Sequence, residues 1–180
     1  GVGVLHYTSG TTGRPKGVIV PDAAPRRAAA ALGEVLESNE EDVCLLVIPA
    51  SHAFGFLTLV TALAAGNLVV LVDSTFSLAG LLEALHRHRP TLLHGAPSLF
   101  TSLARSSAEG FPSLRTGLVG GTACAPQLIE DLDRLGFRVL NSYGMTEIGA
   151  ATSCRLDDPA EVRHSSVGRP LPGYEFRIAG

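Results

Sequence analysis

Short apolar runs alternate with longer helix-like stretches through most of the chain. Val43 to Ile48, Leu68 to Val72, Thr91 to His94, Gly117 to Val119 and Arg138 to Asn141 are predicted strands. Between them, Phe54 to Ala65, Leu78 to His88, Pro97 to Arg105 and Ala125 to Leu135 are predicted helices. Strands that are apolar throughout and separated by single helices bury both faces, so the pattern predicts an α/β fold with a doubly wound, mainly parallel sheet flanked by helices. Upstream, Val2 to Leu5 and Val18 to Val20 are short strand candidates, and Pro21-Asp22 reads as a helix start before the Ala-rich stretch Ala23 to Leu36. Beyond Asn141 the pattern changes. Ile148 to Ser153 is a possible strand, Asp157-Asp158-Pro159 a turn, and Gly168 to Gly173 a connection into Tyr174 to Ile178. The expected organisation is a strand-loop-strand unit over 1–20, an alternating core over 21–147, and the start of a β-rich segment over 148–180.

Composition narrows the class. The 180 residues are 46% apolar and 17% charged, which fits a buried-sheet protein and argues against disorder. A net charge of −3, with no Lys or Arg run beyond pairs such as Arg26-Arg27, makes nucleic acid an unlikely partner. Cys44, Cys124 and Cys154 are far apart and odd in number, suggesting neither a disulfide framework nor a zinc motif, and the expected setting is cytoplasmic. The longest apolar stretch, Phe54 to Val72, is interrupted at Gly66-Asn67, so no transmembrane segment is expected. A first residue other than Met, and an end at Ile178-Ala179-Gly180, lead us to expect a piece of a longer protein.

Ligands in such sheets collect at the carboxyl ends of the strands, so chemistry is sought at the junctions. One loop stands apart: "YTSGTTGRPKG", residues 7 to 17, surrounds a single Lys with glycines and hydroxyls. Glycine lets the backbone approach a ligand closely, and hydroxyls and N–H groups donate to anionic oxygens, which suits phosphate. Lys16 lies between Pro15 and Gly17, so the common phosphate-loop template with Ser or Thr after the Lys does not apply. A surface turn is the plainer alternative. After the predicted strands come "PASHAFGF" at 49 to 56, "GGTACAP" at 120 to 126 and "NSYGMTE" at 141 to 147. Tyr143 could stack on a base, Thr146 donate to a phosphate, and Glu147 hold Mg²⁺, a hard cation that takes oxygen ligands. Each also has a plain structural role open to it: packing for Tyr143, a solvated or capping charge for Glu147, a satisfied buried ring for His52, a tight turn for the glycine pair. Their joint placement at successive strand ends favours an ATP site. His86 and His88 fall on different helix faces, so a metal site with His94 is not expected, and Ser9 and Ser51 lack the sequence of a nucleophile elbow.

These motifs resemble those of the adenylate-forming enzymes, which comprise acyl- and aryl-CoA synthetases, firefly-type luciferases and the adenylation domains of peptide synthetases. "YTSGTTGRPKG" matches the family's phosphate-loop signature and "NSYGMTE" its Y-G-x-T-E motif; "GGTACAP" and "SVGRPLPGYEFRI" follow in family order. The resemblance implies ATP-dependent activation of a carboxylic acid to an acyl-adenylate with release of pyrophosphate, then transfer to the thiol of coenzyme A or a carrier protein. By that resemblance Thr8, Ser9, Gly10, Thr11, Thr12, Gly13 and Lys16 would clasp the β- and γ-phosphates. Gly121, Thr122 and Tyr143 would border the adenine, Thr146 would contact the α-phosphate and Glu147 would bind magnesium. His52 and Phe54 would line the acid pocket, with Gly120 and Gly144 bordering it. Lys16, Thr146 and Glu147 are the expected catalytic set.

Amino-acid-activating relatives usually carry an Asp near the position of His52, whereas this chain reads His52-Ala53-Phe54-Gly55. An unpaired buried ammonium is costly, so the reading leans to a fatty or other apolar acid. Ser142 stands where many acyl-CoA synthetases have Gly. The family's N-terminal region, its T-G-D segment and its mobile C-terminal domain with a late Lys are not in these residues, so the piece alone is expected to be inactive. Two rival readings are a truncated, non-catalytic nucleotide-binding module and the adenylation domain of a peptide synthetase.

Overall fold

The computed structural model describes residues 1–8, 14–72, 77–107 and 109–178. The N-terminal strands are longer than the apolar pattern alone implies. β1 (Val2–Thr8) and β2 (Lys16–Pro21) pair antiparallel as a separate two-stranded sheet, with Thr8 opposite Lys16 at the end where the chain crosses over. Ser9, Gly10, Thr11, Thr12 and Gly13 lie outside the described residues.

The helix α1 (Ala23–Val35) follows directly, and the alternation then runs as expected: β3 (Val43–Leu46), α2 (Ala53–Ala64), β4 (Leu68–Leu71), α3 (Leu78–His88), β5 (Leu92–Leu93), α4 (Pro97–Ser106), β6 (Thr116–Val119), α5 (Pro126–Arg134) and β7 (Arg138–Met145). Pro at the first helical position starts both α4 and α5, where its missing N–H and fixed φ cost nothing. The main sheet has seven strands in the order β4-β3-β5-β6-β7, continued by β8 (Gly149–Ser153) and β9 (Arg169–Pro170). Neighbours are parallel from β4 to β7 and antiparallel from β7 to β9. Strand order reverses between β3 and β5, the point at which doubly wound sheets open a crevice.

Helices cover both faces. On one, Leu81, Leu85, Phe100, Leu103, Ile129 and Leu132 from α3, α4 and α5 pack on Leu45, Leu93, Val119 and Val139. The Phe100 and Phe137 rings meet there at 5.7 Å. On the other, Ala28, Ala31, Leu32 and Val35 of α1 and Leu57 of α2 pack on Leu118 and Leu140. At the amino ends of the strands, buried Asp42 accepts from Arg115 Nε at 2.8 Å and from the Thr91 hydroxyl at 2.6 Å. Burial alone would raise the Asp42 pKa; the hydrogen bonds from Arg115, Thr91 and the Asn39 N–H, with the Arg115 charge, outweigh it and hold the carboxyl below its usual range.

The structure departs from the sequence pattern in several places. The predicted strand Thr91 to His94 shrinks to Leu92–Leu93, and just past its end the His94 ring takes the Leu118 N–H, with Nδ1 accepting at 3.0 Å. The strand predicted to end at Asn141 continues to Met145, since β8 folds back and supplies the antiparallel partner that a local reading cannot supply. A short helix, α6 (Ala160–Ser165), follows the turn at Asp157-Asp158-Pro159. Arg163 ties it to α5 by donating from both Nη atoms to Asp133 at 2.9 and 2.7 Å, and His164 Nε2 reaches the same carboxylate at 2.8 Å. The Gly168 to Gly173 connection contains β9, whereas residues 174 to 178 form no regular element. Among the described residues no helix is long and apolar enough to cross a membrane.

Candidate active site

A cavity of about 300 Å³ opens at the carboxyl ends of β3, β5, β6 and β7, on the side covered by α1 and α2. That size is at the lower end for a small-molecule site. Each wall follows from a local choice. His52 caps the N-terminus of α2, its Nδ1 accepting from the Phe54 N–H at 3.2 Å, which satisfies one of the helix's orphan donors. The cap turns the first helical turn, Ala53 and Phe54, into the cavity. Gly120 sits beside β7, where an added Cβ would stand 3.0 Å from the Ser142 carbonyl oxygen; Gly121 has φ +87°, a conformation that favours glycine. Both border the cavity, as do Ser142, Gly144, Thr146 and Glu147.

The residues named from sequence divide into groups. His52, Phe54, Gly120, Gly121, Gly144, Thr146 and Glu147 meet around the one cavity. Tyr143 does not line it. The side chain lies one position on from Ser142 along β7, is half exposed, and donates its hydroxyl to Met145 Sδ at 3.8 Å. Thr122 is exposed and also stands outside the cavity. Thr8 and Lys16 belong to the β1–β2 hairpin, which a second cavity of about 100 Å³ joins to the site: His6 and Val20 line one side, Thr146, Glu147 and Ile148 another. Edge-on contact between His6 and Phe56, at 5.5 Å between ring centroids, seats the hairpin against α2.

Thr146 and Glu147 occupy the turn between β7 and β8, where Glu147 is exposed and has no hydrogen bond or ion pair among the described residues. A solvated, unpaired carboxylate at a cavity mouth fits the single protein ligand that magnesium takes when phosphates and water supply the rest. Groups of three or more His, Cys, Asp or Glu arranged to cage a metal are absent among the described residues.

Sequence reasoning missed three polar lining residues. His94 ends β5 and stands at the strand reversal, 4% exposed; Thr58 and Thr61 face the same cavity from α2. The rule that singled out His52, a His just past a predicted strand, extends to His94, which ends one. Because Nδ1 accepts from Leu118, the neutral ring carries its proton on Nε2. Burial pushes the His94 pKa down to about 4. The unfolded chain then binds a proton that the folded protein refuses between about pH 6.5 and 4, so this ring makes stability fall as pH drops through that interval. The expected slope is about 1.4 kcal/mol per pH unit at most. Urea unfolding at several pH values checks it: His94→Asn, which keeps an acceptor for Leu118, should lose less stability on acidification than the wild type, and equal losses would refute the assignment.

An α/β sheet with a crevice at its reversal point, the paired β1 and β2 strands beside it and an exposed carboxylate at its edge belongs to the doubly wound class, whose crevices hold small-molecule ligands. Comparison with known sequences makes that specific. The profile of AMP-binding enzymes matches residues 2–180, and the chain belongs to that family. It is 33% identical over 179 residues to a 3-[(3aS,4S,7aS)-7a-methyl-1,5-dioxo-octahydro-1H-inden-4-yl]propanoyl:CoA ligase of Rhodococcus jostii, covering 97% of this chain and 35% of that protein. Two solved structures of o-succinylbenzoate coenzyme A synthetase from Bacillus subtilis, one with ATP and magnesium ion and one with the acyl-adenylate intermediate, each superpose with a TM-score of 0.82 at 31% identity. Each superposition covers 93% of this chain, and 35% and 34% of the respective solved chain. This chain therefore spans about a third of the length of the relatives it matches.

Proposed function

We propose that the full-length protein carrying this chain is an AMP-forming acid–thiol ligase: it joins a carboxylic acid to ATP, releases pyrophosphate, and passes the acyl group to the thiol of coenzyme A. The observation that carries the reading is the cavity whose mouth is closed by Thr146 and Glu147 and which the hairpin of Thr8 and Lys16 adjoins. An acid lying against Phe54, Gly120 and Gly144 would have its carboxylate directed at that mouth. The names of the relatives, which are CoA ligases, support the thiol acceptor.

Two anionic reactants must be held together and the charge that builds on the phosphates must be met, so positioning and electrostatics dominate. Lys16 and the loop of Ser9 to Gly13 would take the β- and γ-phosphates. Thr146 would donate to the α-phosphate; Gly121, which borders the cavity, and Thr122 and Tyr143, which stand outside it, would border the adenine. Glu147 would hold magnesium, whose charge offsets that of the phosphates. Among the described residues no Lys or Arg lines the cavity and Glu147 is its only carboxylate, an arrangement that favours an acid without a second charge over an amino acid.

Acid-dependent exchange of labelled pyrophosphate into ATP, followed by AMP release on adding coenzyme A, tests the reading in the full-length protein. Exchange with at least one small carboxylic acid is expected. Nucleotide binding without exchange across a broad panel of acids would favour a binding module instead.

A further inference from the structure

The wall of the acid cavity away from its mouth is not uniformly apolar. Thr58 and Thr61, each 4% exposed, face it from one side of α2, three residues apart and so on one helix face. Both hydroxyl oxygens are buried away from the open space in this rotamer, without any hydrogen-bond partner among the described residues. His94 faces the same space from the end of β5, with Nδ1 occupied by the Leu118 N–H and Nε2 without a partner among the described residues. Leaving such groups unpaired is costly, and native structures rarely leave several of them around one cavity. Leu32, Leu57 and Leu118 line the cavity too, so the three polar groups stand in a cavity with a substantial apolar lining.

We propose that Thr58, Thr61 and His94 form a donor set that recognises an uncharged carbonyl oxygen on the body of the acid, making the preferred substrate an oxo acid with an otherwise apolar skeleton. This rests on the ligase reading above and refines the lean toward an apolar acid. All three groups can donate. The His94 ring donates from Nε2 because its other nitrogen is committed, and a threonine turns its hydroxyl into the space its methyl occupies by rotating χ1. A second carboxylate on the acid is disfavoured, since among the described residues no Lys or Arg lines the cavity to pair with it. A site built to hydrogen-bond a substrate group discriminates strongly against the analogue that lacks it, because its own polar groups are then left buried and unpaired.

The test compares octanoate with the set of oxooctanoates that differ in where the ketone sits, using the full-length protein. Pyrophosphate exchange gives kcat/KM, and the acid-induced rise in Tm gives binding without chemistry. At least one oxooctanoate should exceed octanoate about tenfold or more in kcat/KM. A double variant, Thr58→Val with Thr61→Val, keeps both shapes and removes only unpartnered hydroxyls; it should bring the two acids within about threefold, partly by improving octanoate. His94→Asn keeps an acceptor for Leu118 but replaces the Nε2 donor with an amide NH₂ on a shorter side chain, drawn back toward β5, and should narrow the ratio as well. Octanoate matching every oxo isomer in the wild type, or a ketone preference that survives in both variants, overturns the proposal while leaving the ligase reading intact. Exchange with no acid defeats the ligase reading, and the Tm shifts then decide alone. A larger shift with an oxooctanoate than with octanoate, lost in the double variant, supports the donor set; equal shifts or none overturn it.

Discussion

Replacing Glu147 by Gln in the full-length protein should lower acid-dependent pyrophosphate exchange by about a hundredfold or more, the scale on which a single preorganised electrostatic contact to a transition state acts. The carboxylate stands exposed in the β7–β8 turn, between the acid cavity and the smaller cavity beside the β1–β2 hairpin. It has no protein partner among the described residues, so the exchange removes charge from the site without orphaning a neighbour. A structural role would show as lost stability, and the variant should unfold at nearly the wild-type temperature. Raising magnesium should recover part of the loss if the side chain acts by holding the ion. Lys16→Ala, at the mouth of the hairpin, should give a loss of similar size with no recovery by magnesium. Exchange rates within threefold of wild type in both variants would remove the proposed site assignment.

Gly144→Ala is the second large effect, and it arises from the fold. Gly144 lies on β7 at a register irregularity against β8, where the partners step from Tyr143 and Thr152 to Gly144 and Ala150. A Cβ there would stand 2.4 Å from the Gly149 carbonyl oxygen and 2.9 Å from the Ala150 Cα, distances that only main-chain movement can relieve. The hairpin must therefore shift, and Thr146 and Glu147 ride on its turn. Stability should fall by about 1–3 kcal/mol, the usual cost of overpacking, and exchange should fall by about a hundredfold from displacement of the two side chains. Urea unfolding and exchange assays measured on the same preparation check both. An alanine variant with wild-type activity would mean that the hairpin position is not what sets the site.

Much of the fold was legible because its signals are local. Apolar strands alternating with amphipathic helices, and Pro at the starts of α4 and α5, identify elements without reference to distant residues. The misreadings share a cause. β7 was expected to stop at Asn141 because the following residues, Ser142 to Glu147, resemble a loop; their strand conformation comes from β8, which pairs Ser142 with Ser153. The helix at Ala160–Ser165 is too short to announce itself and is held by Arg163 and His164 reaching Asp133, about thirty residues earlier.

The candidate site divides along the same line. His52 was visible as a residue at a strand end, and its capping bond to Phe54 spans only two positions. His94 looked like one of three nearby histidines with no metal to bind. Its environment depends on the Leu118 N–H, 24 residues away, and on the placement of β5 between β3 and β6. Thr58 and Thr61 read as unremarkable positions in an apolar helix until α2 is laid over the crevice.

Sequence by itself thus determined the fold class, the family motifs and their order, because hydrophobic period and turn chemistry are encoded over a few neighbouring residues. Only the tertiary structure decided which of those residues share a cavity, which nitrogen of His94 carries the proton, and that Thr58, Thr61 and His94 line that cavity together. Those properties depend on strand order and on burial, which bring distant positions together and strip away the water that would otherwise satisfy them.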